Sequence, residues 1–124
     1  SGPLRTRGYI ALHLQKTQQA VAYFKRSIAV CQSYRGDWFI SRGLEGLASA
    51  VCLLGDFRKT AVLLGAAEMI REKIGSPVLP QYQELYDSTI ESTKSHYDHD
   101  LFLEAWKRGK MMTKEQVVAY ALES

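Results

Sequence analysis

At 124 residues, with 46% hydrophobic and 23% charged side chains, the chain has the size and composition of one globular domain with a real core. No apolar run is long enough to cross a bilayer and no signal peptide is visible, so a cytoplasmic location is expected. The net charge of +3 hides a split, because residues 1–62 carry nine Lys/Arg against three Asp/Glu while residues 63–124 carry seven against ten. Either the acidic helices simply solvate the second half, or the basic half faces an acidic partner or a neighbouring repeat. The opening Ser-Gly-Pro, in place of Met, points to a segment of something longer.

A first helix is predicted from Leu4 to about Leu14, with Arg5, Tyr9 and His13 spaced along one face. The polar joint Gln15-Lys16-Thr17 follows, and Thr17 is expected to cap a second helix reaching about Tyr34. Ala20, Val21, Phe24, Ile28 and Cys31 form its buried side. Gly36-Asp37 is expected to close that helix and cap the next.

The third helix carries Leu44, Leu47, Ala48, Val51 and Leu54 on one face. Gly55 supplies a left-handed residue to end it, and Asp56 a cap for the fourth helix. There Ala61, Leu64, Ala67, Ile70 and Ile74 repeat the pattern, and Val62, Leu63 and Ala66 widen it beyond a surface stripe, as in a helix buried on more than one side. Gly65 inside that helix costs about 1 kcal/mol relative to Ala, which close packing would offset. Gly75 and Pro77 stop it.

Pro80 opens a fifth helix with one narrow stripe made of Tyr82, Leu85, Tyr86, Thr89, Ile90 and Tyr97. Asp98 is expected to cap a short sixth helix bearing Phe102, Ala105 and Trp106, ended by Gly109. Thr113 and Gln116 form a capping box for the last helix, with Met112 placed to staple onto Val117. Residues 1–77 thus read as two helical hairpins and residues 78–124 as three capping helices of the same domain. Ala20 and Ala61, 41 residues apart, take the same place in the two hairpins, a period found in stacked helix pairs.

Chemical motifs are scarce. There is no GxxxxGK[ST] loop and no GxSxG, HExxH or DFG-like set, so neither nucleotide hydrolysis nor a familiar hydrolase site is predicted. Cys31 and Cys52 sit among apolar neighbours without a CxxC pair and read as small core residues of a reducing compartment. His96 and His99 could share a helix face and bind a divalent metal with an aspartate of the same cluster, but Asp98 is wanted as a helix cap, which breaks the face between the histidines; the favoured reading is a solvated joint. Glu45 would be an acid/base residue only if buried with a perturbed pKa, and pairing with Arg42 or Arg26 is the simpler expectation. No cofactor is implied.

Two resemblances add to this. The hairpins resemble divergent tetratricopeptide repeats through Gly8, Ala20 and Phe24 in the first and Ala61 in the second; Gly65 and Glu45 replace the usual aromatic and large apolar residues. Over about residues 37–123, GLEGLA, GD, AxLLGAAExIRExIGSP and FxxAWxxGxxMTxEQxVAYAL resemble the C-terminal end of large bacterial signalling ATPases. These include LuxR-type and related STAND-type transcriptional regulators. Gly43 to Ala48, Leu63 to Glu68, Ala105, Trp106, Gly109 and Thr113 to Leu122 carry the match, and Lys16-Thr17 replaces the Gly-Asp often seen in the first joint.

The resemblances imply an all-α tetratricopeptide-like superhelix with a three-helix cap, serving as the non-enzymatic sensor or protein-interaction arm of a larger regulator. In such stacks the first helix of each pair lines the groove, so Arg5, Tyr9 and His13, with Arg42, are the candidate partner-binding residues. The 41-residue offset would carry the first three to Gly46, Ala50 and Leu54, an apolar floor. That face could instead pack on a preceding repeat. The implied partner is a protein or a domain of the same polypeptide, and the N-terminal face is a candidate for self-association. The alternative is nucleic-acid binding by the basic N-terminal half, through Arg5, Arg7, Lys16, Lys25, Arg26 and Arg35, although no helix-turn-helix signature accompanies them.

Overall fold

The computed structural model describes residues 2–31 and 36–123, and these fold as seven α-helices with no strand among them. They are α1 (Gly2–His13), α2 (Thr17–Val30), α3 (Gly36–Leu53), α4 (Phe57–Ile74), α5 (Pro80–His96), α6 (His99–Met111) and α7 (Lys114–Leu122). The all-α class expected from the periodicity is therefore what the chain adopts. None of these helices is long and apolar enough to cross a membrane.

The two hairpins share one turn, residue for residue. Gln15 (φ 61°) and Gly55 (φ 85°) both take the left-handed conformation. The bonds Gln15 N–H to Leu12 O, Lys16 N–H to Ala11 O and Ala20 N–H to Lys16 O recur as Gly55 to Cys52, Asp56 to Val51 and Thr60 to Asp56. The repeat is thus 40 residues by its turns rather than the 41 read from Ala20 and Ala61, and Ala20 corresponds to Thr60. Lys16, not Thr17, stands at the cap position of α2 and makes no side-chain cap bond, whereas Asp56 accepts from Lys59 N–H at 3.1 Å. The first hairpin therefore keeps the turn without its best residues, at roughly 1–2 kcal/mol of left-handed strain on Gln15.

Two other expected boundaries move. Gly36 is already the first residue of α3 and Asp37 lies in its first turn, where its carboxylate accepts from Lys114 Nζ at 3.0 Å instead of capping. The expected end of α2 at Tyr34 lies outside the described residues. Gly109 does not end α6, which runs on to Met111. The other local signals hold: Gly75 is left-handed (φ 67°), Pro80 opens α5, Asp98 accepts from Leu101 N–H, and Thr113 and Gln116 make both bonds of the capping box.

The core forms where α2 and α3 meet. Phe24 and Ile28 are fully buried, with Gly8 and Gly46 against the Phe24 ring and Gly43 against Ile28, so that a Cβ at any of the three would collide. At the other end α6 packs on α4 backbone to backbone. A Cβ at Gly65 would strike the Trp106 carbonyl oxygen, and one at Gly109 the Val62 carbonyl oxygen. This close approach is what compensates both glycines for their poor helix propensity.

The last helices cover the hairpins on different sides. Helix α5 lies over α1 and α3: Tyr82 stacks on Tyr9 with ring centroids 4.1 Å apart, and Thr89 meets Ser49 at 2.9 Å. Helix α7 packs against α2 and α4 through Val117, Val118 and Ala121. Lys25 and Lys59 both donate to the carbonyl of Glu123, at 3.1 and 2.9 Å, placing two cations at the C-terminal end of α7.

Candidate functional site

One turn of α3 separates Arg42 from Glu45, so both point the same way, and the last turn of α4 brings Arg71 to them. Glu45 Oε2 accepts from Arg71 Nη1 at 2.8 Å and from Arg42 Nη1 at 3.3 Å. Arg42 Nη2 also donates to Ser76 Oγ (2.6 Å) and to the Pro77 carbonyl (2.8 Å), which fixes the loop after α4. Arg71 Nη2 donates to the Tyr86 hydroxyl at 2.9 Å and so ties α4 to α5. The guanidinium of Arg42 rests 4.8 Å from the centre of the Trp38 ring, and that of Arg71 lies 4.9 Å from Tyr86.

The side chains of Arg42 and Glu45 are 1% and 4% exposed, so this cluster is interior. Burial raises the Glu45 carboxyl above its ordinary value, against the pull of Arg71 and Arg42. Burial, with Glu45 adding to it, also holds the Tyr9 phenol above its usual range. Glu45 Oε1 is buried without a hydrogen-bond partner and borders a cavity of about 10 Å³ with Tyr9, Ser49 and Tyr86. Two guanidiniums on one carboxylate hold α3, α4, α5 and the intervening loop together. No second carboxylate, histidine or nucleophile bonds to Glu45 among the described residues.

The expected pairing of Glu45 with Arg42 is present, and Arg71 is the partner that sequence spacing did not reveal. Of the candidate partner-binding residues, Arg42 and Tyr9 are both engaged in packing. Arg42 is enclosed, and Tyr9 is wedged between Phe24 (5.0 Å, edge-on) and Tyr82. Arg5 is half-buried over Trp38 (5.2 Å) and Phe39 (5.8 Å), with Nε and Nη1 lacking a hydrogen-bond partner. His13 is exposed, and near it Ile10 on α1 and Leu14 in the following turn are 53% and 56% exposed. At the true offset of 40, Arg5, Tyr9 and His13 correspond to Glu45, Ser49 and Leu53 rather than to Gly46, Ala50 and Leu54. The corresponding floor is therefore partly polar; α5 covers Ser49 through Thr89, while Leu53 stays 66% exposed.

Elsewhere, Asp98 caps α6 as expected and leaves His96 at the end of α5 and His99 at the start of α6. The His96 ring stacks on Phe57 at 5.4 Å. Among the described residues no group of three or more His, Cys, Asp or Glu is arranged to hold a metal ion. Cys31 and Cys52 are both buried, as their apolar neighbours implied.

Fold and site together define an all-helical, repeat-like module whose interior charges serve packing. No family model matches the chain, and no solved structure does. The chain is similar to the regulatory protein AfsR of Streptomyces griseus, with 32% identity over 78 residues covering 61% of this chain. It spans 8% of that relative's length. The likeness is to a short stretch of a bacterial regulatory protein.

Proposed function

We propose that this chain is a non-enzymatic, tetratricopeptide-like interaction and sensing module of a larger bacterial regulator, meeting a protein or another domain of the same polypeptide. The observation that carries this reading is the 32% identity with a named regulatory protein, on a chain that is all-helical. The docking surface is the outward face of the end of α1 and the turn after it, where Ile10, His13 and Leu14 stand exposed. Exposed apolar side chains flanked by polar ones are what a partner helix covers.

The test is Ile10→Glu with Leu14→Glu in the complete regulator. Transcriptional output is expected to change while the thermal unfolding of this module does not; unchanged output overturns the reading. Sedimentation of the same variant separates a second copy of the chain from a different partner. Affinity for duplex DNA across a salt series is the companion measurement. A steep salt dependence would replace this proposal with nucleic-acid binding by the basic half. Lys25, however, already bonds the Glu123 carbonyl, and Arg42 is enclosed.

A further inference from the structure

A cleft of about 380 Å³ opens between α4, α5 and α6. Its floor and walls include Leu64, Phe102, Ile90 and Trp106, and its polar lining includes Glu68 and Lys94. Leu64 and Phe102 are 1% and 5% exposed, so the floor belongs to the core and its shape is set by packing. The volume falls in the range of small-molecule sites, about 300–1,000 Å³, which are largely apolar with a few placed polar groups.

The two charges are what select a ligand. Glu68 is half-buried on α4 and makes no ion pair or hydrogen bond among the described residues. Lys94 projects from α5, with its ammonium 5.4 Å from the centre of the Phe102 ring instead of on a carboxylate. The cleft thus offers one unpaired anion, one cation and an apolar floor. An amine alone would use only Glu68 and an acid alone only Lys94, whereas a zwitterion uses both. The neighbouring Arg71 is already engaged by Glu45 and Tyr86 and adds little free charge.

We infer that this cleft binds a small zwitterion with an apolar body, such as a free aromatic or branched-chain amino acid. Its ammonium meets Glu68, its carboxylate meets Lys94, and its side chain lies against Ile90 and Trp106, the partly exposed apolar walls above the buried floor. This rests on the sensing half of the proposed function and gives it a ligand. The cleft is tested on the isolated chain with no partner present, so failure here leaves docking by α1 standing, and failure there leaves the cleft standing.

The probes are L-phenylalanine and L-leucine, titrated into isotope-labelled chain and followed by amide and indole NMR shifts. Saturable shifts are expected around Ile90 and Phe102 and at the Trp106 indole N–H. Phenethylamine, which lacks the carboxylate, and 3-phenylpropionate, which lacks the ammonium, are each expected to bind roughly tenfold more weakly, as are Glu68→Gln and Lys94→Gln. Lys94 is exposed, so that variant keeps the fold; Ile90→Trp fills the cleft from α5 and should abolish the shifts. Absence of saturable shifts with both amino acids overturns the inference. So does binding of phenethylamine or 3-phenylpropionate as tightly as phenylalanine, or binding unaffected by both charge variants.

Discussion

Helix α6 and helix α5 both cover the second hairpin, yet they do so by opposite means. Against α4, α6 has Gly65 and Gly109 at the crossing, and carbonyl oxygens fill the space where side chains would be. Against α3 and α4, α5 uses hydroxyls, a thiol and a guanidinium: Thr89 to Ser49, Thr93 to Cys52, Tyr86 to Arg71. Its fully buried residues are two threonines, each of which also bonds the carbonyl four residues back. The first contact tolerates no added volume. The second tolerates small changes of shape but not the loss of a polar partner.

The strongest way to break the polar side is Glu45→Ala, which strands two guanidiniums in the interior. A loss of about 3–5 kcal/mol in denaturant unfolding is expected, and a loss below ~1 kcal/mol would mean that the arginines find water instead. Gly65→Ala probes the tight side. Helix propensity alone would favour alanine by about 1 kcal/mol, but the collision with the Trp106 carbonyl should reverse the sign and cost about 3 kcal/mol. A stabilised variant would show that α6 is free to slide.

Tyr86→Phe sharpens the comparison, because it removes one hydrogen bond to a charged group and almost no volume. About 2 kcal/mol is expected, together with faster amide exchange in α5 than in α6; equal acceleration in both helices would mean that they open as one unit. The smallest effect is with pH. Burial raises the phenols of Tyr9, Tyr86 and Tyr120 above their ordinary value of 10.0. The native chain therefore keeps protons that the unfolded chain has released, so stability is intact below pH 10 and falls as pH climbs above it. Tyr9→Phe and Tyr86→Phe should flatten that alkaline limb, and an unaltered slope in the double variant would trace it to other groups.

What could be read before the coordinates was local. Gly55-Asp56, Gly75, Pro80, Asp98 and the Thr113–Gln116 box act on their own backbone within a few residues, so their residue types announce them. Gly109 does not end α6 as its residue type suggests, because a glycine that ends a helix and one that admits a neighbouring helix look alike without the neighbour, here the Val62 carbonyl. Gln15 gave no sign, since a left-handed glutamine is held by the same bonds that make Gly55 comfortable. The one-residue error in the repeat followed from it, for without that turn the two alanines were the better match. In the candidate site, the spacing of Arg5, Tyr9 and His13 sets them along one face of α1. What it could not show was that α5 comes back over Tyr9, or that Arg71, 26 residues from Glu45, completes the ion cluster.

The double grip of Lys25 and Lys59 on the Glu123 carbonyl sets an order for folding. The first of these bonds joins positions 98 residues apart, so a chain growing from its N-terminus can form both hairpins and still lack the bolt that locks their outer helices. During synthesis the surfaces of α2 and α4 that α7 covers stay open until it arrives. A chaperone that recognises apolar seams would find its window there, and the window shuts when α7 docks.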